Sequence, residues 1–531
     1  MAARNAALAE MRITWPYFAG LLLAMLVALA LRCVAPDVRP FHNDEGVNAV
    51  KFAQLSTGSG YKYDPDEHHG PSLPYATLVL ARLAGAAGLE AFTDARFRLV
   101  DVLFGVGLIL LLPLVADGLG RRATLCAALL TALSPAMVFY SRYYIHEMPL
   151  VFFALLAGGA GWRYWQTPRL GWAVLAGVGV GLMQATKETF VLSLAAAVFA
   201  LSLNWIWSKW LDASAPPQKA APIPYGHLGA ALLAWGLVTM VLFSSFFTNA
   251  DGILDSIRTY KPWLSRAGGA SPHIHPWGFY FERLLWFRAP KGPLWTEAFI
   301  AVLALVGAVA GFTRRHLEDG DARLIRFLTF YTCALTAGYC LIAYKTPWCL
   351  LSFWHGAILL AGLGAVVILR SVTALPVRAA AASLLLAGIG HLAAQAWRAA
   401  VPMASSPRNP YVYAQTLPGA LELVEQVRLL ADLHPDKRAM LVKVIAPGGD
   451  YWPLPWYFHD FSKIGWWETA PADPYAPVMI VAATLHAGLD EAKTHQMPRY
   501  YEFRPGVFFE VYVQTNLWRT YLENRPAAKT E

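Results

Sequence analysis

The chain has 531 residues, of which 56% are hydrophobic and only 15% charged. Soluble domains are about 45–50% apolar and about 25% charged, so a single water-soluble core is excluded, and apolar runs of membrane-spanning length recur from Trp15 to Trp397. The 43 basic residues exceed the 35 acidic ones by 8, but they sit in short loops between apolar runs, a pattern of membrane topology rather than of nucleic-acid binding.

A hydrocarbon core about 30 Å thick takes roughly 20 apolar residues to cross. The runs predict spans near 15–34, 98–117, 122–139, 148–164, 170–185, 188–207, 227–247, 294–312, 324–343, 349–369 and 378–398, about eleven in all. The first run lacks a small-residue cleavage pattern, so it is expected to stay as an uncleaved span rather than a secretory signal. A further run, 73–89, decides the side of everything after it. If it lies along the outer interface, Arg4 and Arg12, Arg121-Arg122, Arg163 with Arg169, Lys209 with Lys219, Arg314-Arg315 with Arg323 and Arg326, and Arg370 with Arg378 all face the cytoplasm. If it crosses, every later group flips outward against the positive-inside rule. The sequence therefore predicts an interfacial helix there, which also suits Arg82.

Four outer segments follow: 36–97, 140–147, 248–293 and the tail from 400 onward. The fold expected is an all-α polytopic membrane domain over 1–400 with a small extracytoplasmic α/β domain over 401–531. In that tail an amphipathic pattern predicts a helix over 417–433, strands are expected at 440–446 and 478–483, and a hairpin-like pair over 500–514 about Pro505-Gly506. The composition of 212–225 predicts a flexible cytoplasmic linker. None of the five cysteines follows Cys349, so the tail has neither a disulfide framework nor a Cys-type zinc site.

Polar residues concentrate in the outer loops. Phe41-His42-Asn43-Asp44-Glu45-Gly46 follows the first span, either as a solvated turn or as part of a site. The same loop continues into Tyr63-Asp64-Pro65-Asp66-Glu67-His68-His69-Gly70-Pro71, and the second outer loop supplies Ser141-Arg142-Tyr143-Tyr144-Ile145-His146-Glu147-Met148-Pro149. Short tethers at span ends are expected to bring Asp44, Glu45, Arg142 and Glu147 to similar depth on one face. Lys187-Glu188 is a polar turn with a local ion pair or part of that site. Lys345 is a snorkelling lysine or a site cation held near the interface by Pro347. His68-His69 with Asp66 and Glu67 form a divalent-cation site or a solvated loop. Asp64-x-Asp66 matches a DxD pattern, on the wrong side for nucleotide sugars and without a Gly-rich phosphate loop. His273-Ile274-His275 and the Trp452–Trp456 run each contact sugar (the former alternatively a metal), or anchor at headgroup depth.

The order of these motifs resembles the GT-C superfamily of polyprenyl-phosphate-sugar-dependent glycosyltransferases, in the branch of protein O-mannosyltransferases and aminoarabinose transferases. The matching features are Asp44-Glu45 after span one, Gly70-Pro71 entering the interfacial helix, Arg98 opening span two, Gly120-Arg121-Arg122, Ser134-Pro135 and Arg142-x-x-x-x-Glu147. Tyr344-Lys345-Thr346-Pro347-Trp348 and Asp450-Tyr451-Trp452-Pro453-Leu454-Pro455-Trp456-Tyr457 resemble the bacterial and archaeal "flippase activity-associated" membrane proteins of that superfamily. The resemblance implies a general base at Asp44, a second-loop acid at Glu147, and Glu45 as a positioning or metal-binding residue. It also implies donor-phosphate cations at Arg142, Lys187 and Lys345 and substrate contacts from His69, Tyr144, His146, Trp348 and Trp452. The implied activity is transfer of a sugar from a polyprenyl-phosphate donor to an acceptor hydroxyl of a glycan, lipid or protein at the outer face of the inner (plasma) membrane. No cofactor is required beyond a divalent cation, which is left open, and the partners are the lipid-linked sugar, membrane lipid and acceptor, with no nucleic acid. The rival reading is a non-catalytic GT-C-like subunit that assists lipid-linked glycan translocation or assembly. A secondary transporter fits less well, with few ionisable residues mid-span and no inverted repeat.

Overall fold

The computed structural model describes residues 15–58, 61–66, 69–86, 88–211, 224–268, 273–317, 319–490 and 493–524. The linker expected over 212–225 lies outside the described residues up to 223, as do Arg4, Arg12, Glu67, His68 and Lys219. The chain forms two compact units that do not follow sequence order. The first comprises Met1–Ala35, Gly60–Gly85 and Arg98–Tyr411, and the second Pro36–Ser59, Ala86–Phe97 and Val412–Glu531.

Helices dominate the first unit. Among the described residues, seven helices are long and apolar enough to cross a membrane: Trp15–Cys33, Asp94–Leu119, Phe190–Leu211, Tyr225–Phe243, Ala322–Leu341, Pro347–Ser371 and Leu375–Ala400. The other expected spans are a segment broken at Ser134 into Arg121–Leu133 and Pro135–Tyr140, the helix Glu147–Gln166, and the shorter apolar helices Leu170–Gln184 and Ala298–Thr313. A count of eleven spans does not follow from length and composition. The break at Pro135 has a local cause, because proline removes a backbone donor and the Ser134 side chain accepts from the Met137 N–H instead. Close helix packing uses glycine. A Cβ on Gly307 would lie 2.0 Å from the Leu360 carbonyl oxygen, and one on Gly364 would lie 1.9 Å from that of Leu303, so the two backbones touch. The helix expected at the interface runs only from Ser72 to Leu83, 12 residues. At 1.5 Å per residue that is about 18 Å, too short to cross.

The second unit is built on a five-stranded sheet. In chain order the strands are β1 (Val442–Ile445), β2 (Ile464–Trp467), β3 (Val478–Ala482), β4 (His495–Arg504) and β5 (Val507–Gln514), and their spatial order is β2-β1-β3-β5-β4. β1 is parallel to both β2 and β3, whereas β5 is antiparallel to β3 and β4. Side chains alternate across the sheet. Val442, Val444, Val478, Ile480, Val511 and Val513 join Leu423, Val427 and Leu430 of the helix Gly419–Leu433 in one core. Ile445, Met479, Val481 and Tyr512 form a second core on the other face. Phe41, Phe52 and Phe97, all buried, form an aromatic cluster with Trp456, which is why parts of the first loop belong to this unit. β2 was not expected: its Ile-Gly-Trp-Trp run is only four residues long and holds a glycine, which weakens a strand, and all four residues are half-buried.

Candidate active site

In the first unit two segments are tied, one through the other, to one turn. The turn joins Leu170–Gln184 to Phe190–Ile206. Gly70 N–H donates to the Thr186 carbonyl at 3.1 Å, and Ser72 N–H donates to that of Ala185 at 2.8 Å. Only glycine permits this approach, because a Cβ on residue 70 would stand 2.2 Å from the Ala185 oxygen. The Gly70 carbonyl oxygen lies 3.0 Å from His146 Nε2, and the hydroxyls of Tyr144 and Thr77 hydrogen-bond at 2.6 Å. The 69–72, 144–147 and 185–189 segments therefore hold one another.

Two charged pairs sit in this junction. Glu147 and Lys187, both buried, form an ion pair. Burial works against the Lys187 ammonium, but the Glu147 carboxylate outweighs it and holds Lys187 above the ordinary lysine range. His69 Nδ1 lies 2.8 Å from Glu188 Oε2, its ring stacks on Trp263 at 4.8 Å, and its edge meets His146 at 5.2 Å. A carboxylate on one ring nitrogen orients a histidine and selects its tautomer.

Lys345 is different. Its Nζ donates to the carbonyls of His275, at 3.0 Å, and Ile342, and among the described residues it forms no ion pair. Burial pushes it below the ordinary lysine range. Backbone pairing sets it beside the long loop, with Lys345 N–H donating to His273 O at 2.8 Å and His275 N–H to Ala343 O at 3.1 Å. His275 is lowered by burial and then by the positive charges of Arg283, His273 and Lys345. Arg283 lies 3.5 Å above the Phe279 ring, against which His275 also stacks, at 4.2 Å. Sequence reasoning missed Arg283. Its signal was the helical spacing Phe279–Arg283, inside a stretch whose aromatics suggested an interfacial anchor.

The remaining expected residues have internal contacts. Arg142 donates to the carbonyls of Ala35, at 2.6 Å, and Leu31, at 3.4 Å, closing the end of the first helix. Trp348 is buried against Tyr140, ring centroids 6.4 Å apart. Tyr144 and His146 are buried as well, whereas His69 keeps a quarter of its side chain exposed.

Asp44, Glu45 and Trp452 belong to the second unit. Glu45 is wholly buried, bound through both oxygens by Arg39 at 2.6 and 3.3 Å, and accepts from the His42 N–H at 2.8 Å. With His42 Nδ1 accepting from the Asp44 N–H at 3.1 Å, this is a capping box on the helix Asn43–Thr57. Asp44 leaves 40% of its side chain exposed and is 3.3 Å from Asn43 Nδ2. Trp452 is half-buried beside Tyr451. Among the described residues no group of three or more His, Cys, Asp or Glu side chains is arranged to hold a metal.

Residues 68–223 match the family described as Dolichyl-phosphate-mannose-protein mannosyltransferase. No curated protein matches the sequence. Among solved structures, the chain is similar to ArnT from Cupriavidus metallidurans bound to undecaprenyl phosphate, with 13% identity and a TM-score of 0.57 over 94% of this chain and 98% of that one. The apo ArnT structure gives 13% identity and a TM-score of 0.58 over 92% and 97%. An Archaeoglobus fulgidus oligosaccharyltransferase tethered with an acceptor peptide gives 13% identity and a TM-score of 0.54 over 85% of this chain, which spans 64% of that protein's length. These likenesses show that the chain has the fold shared by ArnT and the oligosaccharyltransferase. The chain is a multi-pass membrane protein of that architecture.

Proposed function

We propose that the protein transfers a sugar from a polyprenyl-phosphate-linked donor to an acceptor hydroxyl at the outer face of the inner membrane, with the second unit on that side. The observation that carries this reading is Lys345. A buried ammonium whose partners are carbonyl oxygens lacks a counter-charge, and an uncompensated ion out of water is expensive. A phosphate would supply that charge, beside the further positive charge of Arg283. The likeness to ArnT bound to undecaprenyl phosphate and the match of 68–223 support the same donor class.

In the proposed reaction Asp44 takes the proton of the acceptor hydroxyl as its oxygen bonds to the anomeric carbon. The bond from that carbon to the phosphate oxygen breaks, and its electron pair stays on the departing polyprenyl phosphate, stabilised by Lys345 with Arg283. Displacement by the activated hydroxyl inverts the anomeric centre. Lys187 is already neutralised by Glu147 and so contributes less to the phosphate than Lys345 does. Arg142 adds positive charge from the end of the first helix, and His69 and Trp452, both partly accessible, are the proposed sugar contacts.

Binding of undecaprenyl phosphate to the purified protein tests the phosphate assignment. Wild type is expected to bind it, and Lys345→Met to lose more than about tenfold in affinity. Failure of wild type to bind, or equal binding by the variant, would remove Lys345 from the donor site.

A further inference from the structure

Within the second unit, the aromatic run 451–457 packs on the start of the helix that carries Asp44, and it fixes the backbone there position by position. Gln415 Nε2 donates to the Pro40 carbonyl at 3.0 Å. The Phe41 N–H donates to Tyr457 Oη at 2.7 Å, and the Tyr457 hydroxyl in turn donates to Asp94 Oδ2 at 2.6 Å. The Phe41 ring lies 6.0–6.3 Å from those of Phe97, Trp456 and Tyr457. His42 and Glu45 close the capping box. On the far side of Asp44, Gly46 meets Pro453 so closely that a Cβ on residue 46 would stand 2.3 Å from the proline Cβ. Backbone from Pro40 to Gly46 is thus held from outside the helix, while the Asp44 carboxylate between the fixed points faces outward, 40% exposed.

A general base works only within hydrogen-bond reach of the proton it removes, and a displacement of about 1 Å can lower a rate about 100-fold. Fixing the backbone on both sides of an exposed carboxylate serves aim more than burial. We infer that Tyr457, seated on Asp94 and aided by Pro453, is a positioning residue through which the C-terminal domain sets the direction of Asp44. This rests on Asp44 being the base of the proposed transfer.

Tyr457→Phe keeps the ring and removes both hydrogen bonds of the phenol. In the full-length protein, kcat is expected to fall about tenfold, with the donor KM within about twofold of wild type, and amide hydrogen exchange over residues 41–48 to quicken about tenfold. Gly46→Ala, which pushes the helix off Pro453, is expected to act in the same direction. Arg499→Ala, which breaks an exposed pair with Glu422 elsewhere in this unit, should leave both readouts unchanged. A merely structural tyrosine would lower the folded fraction and leave kcat per folded molecule unchanged, and that result would overturn the inference. Unchanged exchange over 41–48 in Tyr457→Phe would overturn it too, whatever Asp44 does. Wild-type turnover by Asp44→Asn would instead remove the base assignment, and with it the catalytic meaning of any change in exchange.

Discussion

The Glu147–Lys187 pair offers the sharpest separation of stability from catalysis. Both side chains are buried, and each is the other's ion-pair partner. Lys187→Met removes the ammonium and leaves a carboxylate in a site closed to water. Removing one partner of such a pair costs about 3–5 kcal/mol, whereas replacing both with apolar groups is often neutral or stabilising. Thermal melting in detergent should therefore show Lys187→Met strongly destabilised and Glu147→Leu nearly so. The double variant Lys187→Met/Glu147→Leu is expected to recover most of the loss, a coupling of at least about 2 kcal/mol in a double-mutant cycle. Donor turnover should not recover with it, because the pair also lies beside His69 and Glu188. Strictly additive losses would refute the reasoning about burial, and full turnover in the stable double variant would show that the pair only holds the turn together.

Other outcomes follow from single contacts. Gly70→Ala drives a Cβ into the Ala185 carbonyl and should destabilise by about 1–3 kcal/mol, seen as a lower melting temperature; a silent variant would show that the turn has room. Glu297, fully buried, accepts from Ser134 Oγ, the Ala136 N–H, Trp354 Nε1 and Tyr411 Oη. Glu297→Ala orphans these donors, each loss costing about 1–3 kcal/mol, so folded protein should fall sharply in size-exclusion yield. Burial holds His42 below the ordinary histidine value, against Asp44 and Glu45 and with Arg39 and Arg504 pushing the same way as burial. Because the folded value lies under the unfolded one of about 6.5, the cap's stability is complete above that pH and is lost as pH falls towards the folded value. His42→Asn caps without titrating and should flatten this limb of a melting-versus-pH curve; parallel curves would exclude His42 as its source.

Apolar run length and the charge of short loops made the helical organisation legible in the sequence, and the run expected to lie along the interface forms a short helix, Ser72–Leu83. Short apolar runs likewise marked β1 and β3, and Pro505-Gly506 marked the β4–β5 hairpin, although β4 begins five residues before the expected 500. What escaped depends on partners distant in the chain. His69 meets Glu188, Lys187 meets Glu147, and Tyr457 meets Asp94, and no local pattern announces these pairs. The grouping of 36–59 with the tail has the same origin, since the rings of Phe41 and Phe97 find Trp456 only in three dimensions. The Glu45 cap was partly visible as an x-x-Glu spacing, but histidine in place of Ser, Thr, Asp or Asn at the first position hid it.

The central claim is consumption of a lipid-linked sugar, and turnover of a polyprenyl-phosphate hexose in proteoliposomes tests it most directly. Wild type is expected to release polyprenyl phosphate, with Asp44→Asn folded, able to bind the lipid phosphate and at least about 1000-fold slower. Binding without consumption by wild type would contradict the transferase assignment and leave a GT-C-fold subunit that holds or helps move lipid-linked glycan.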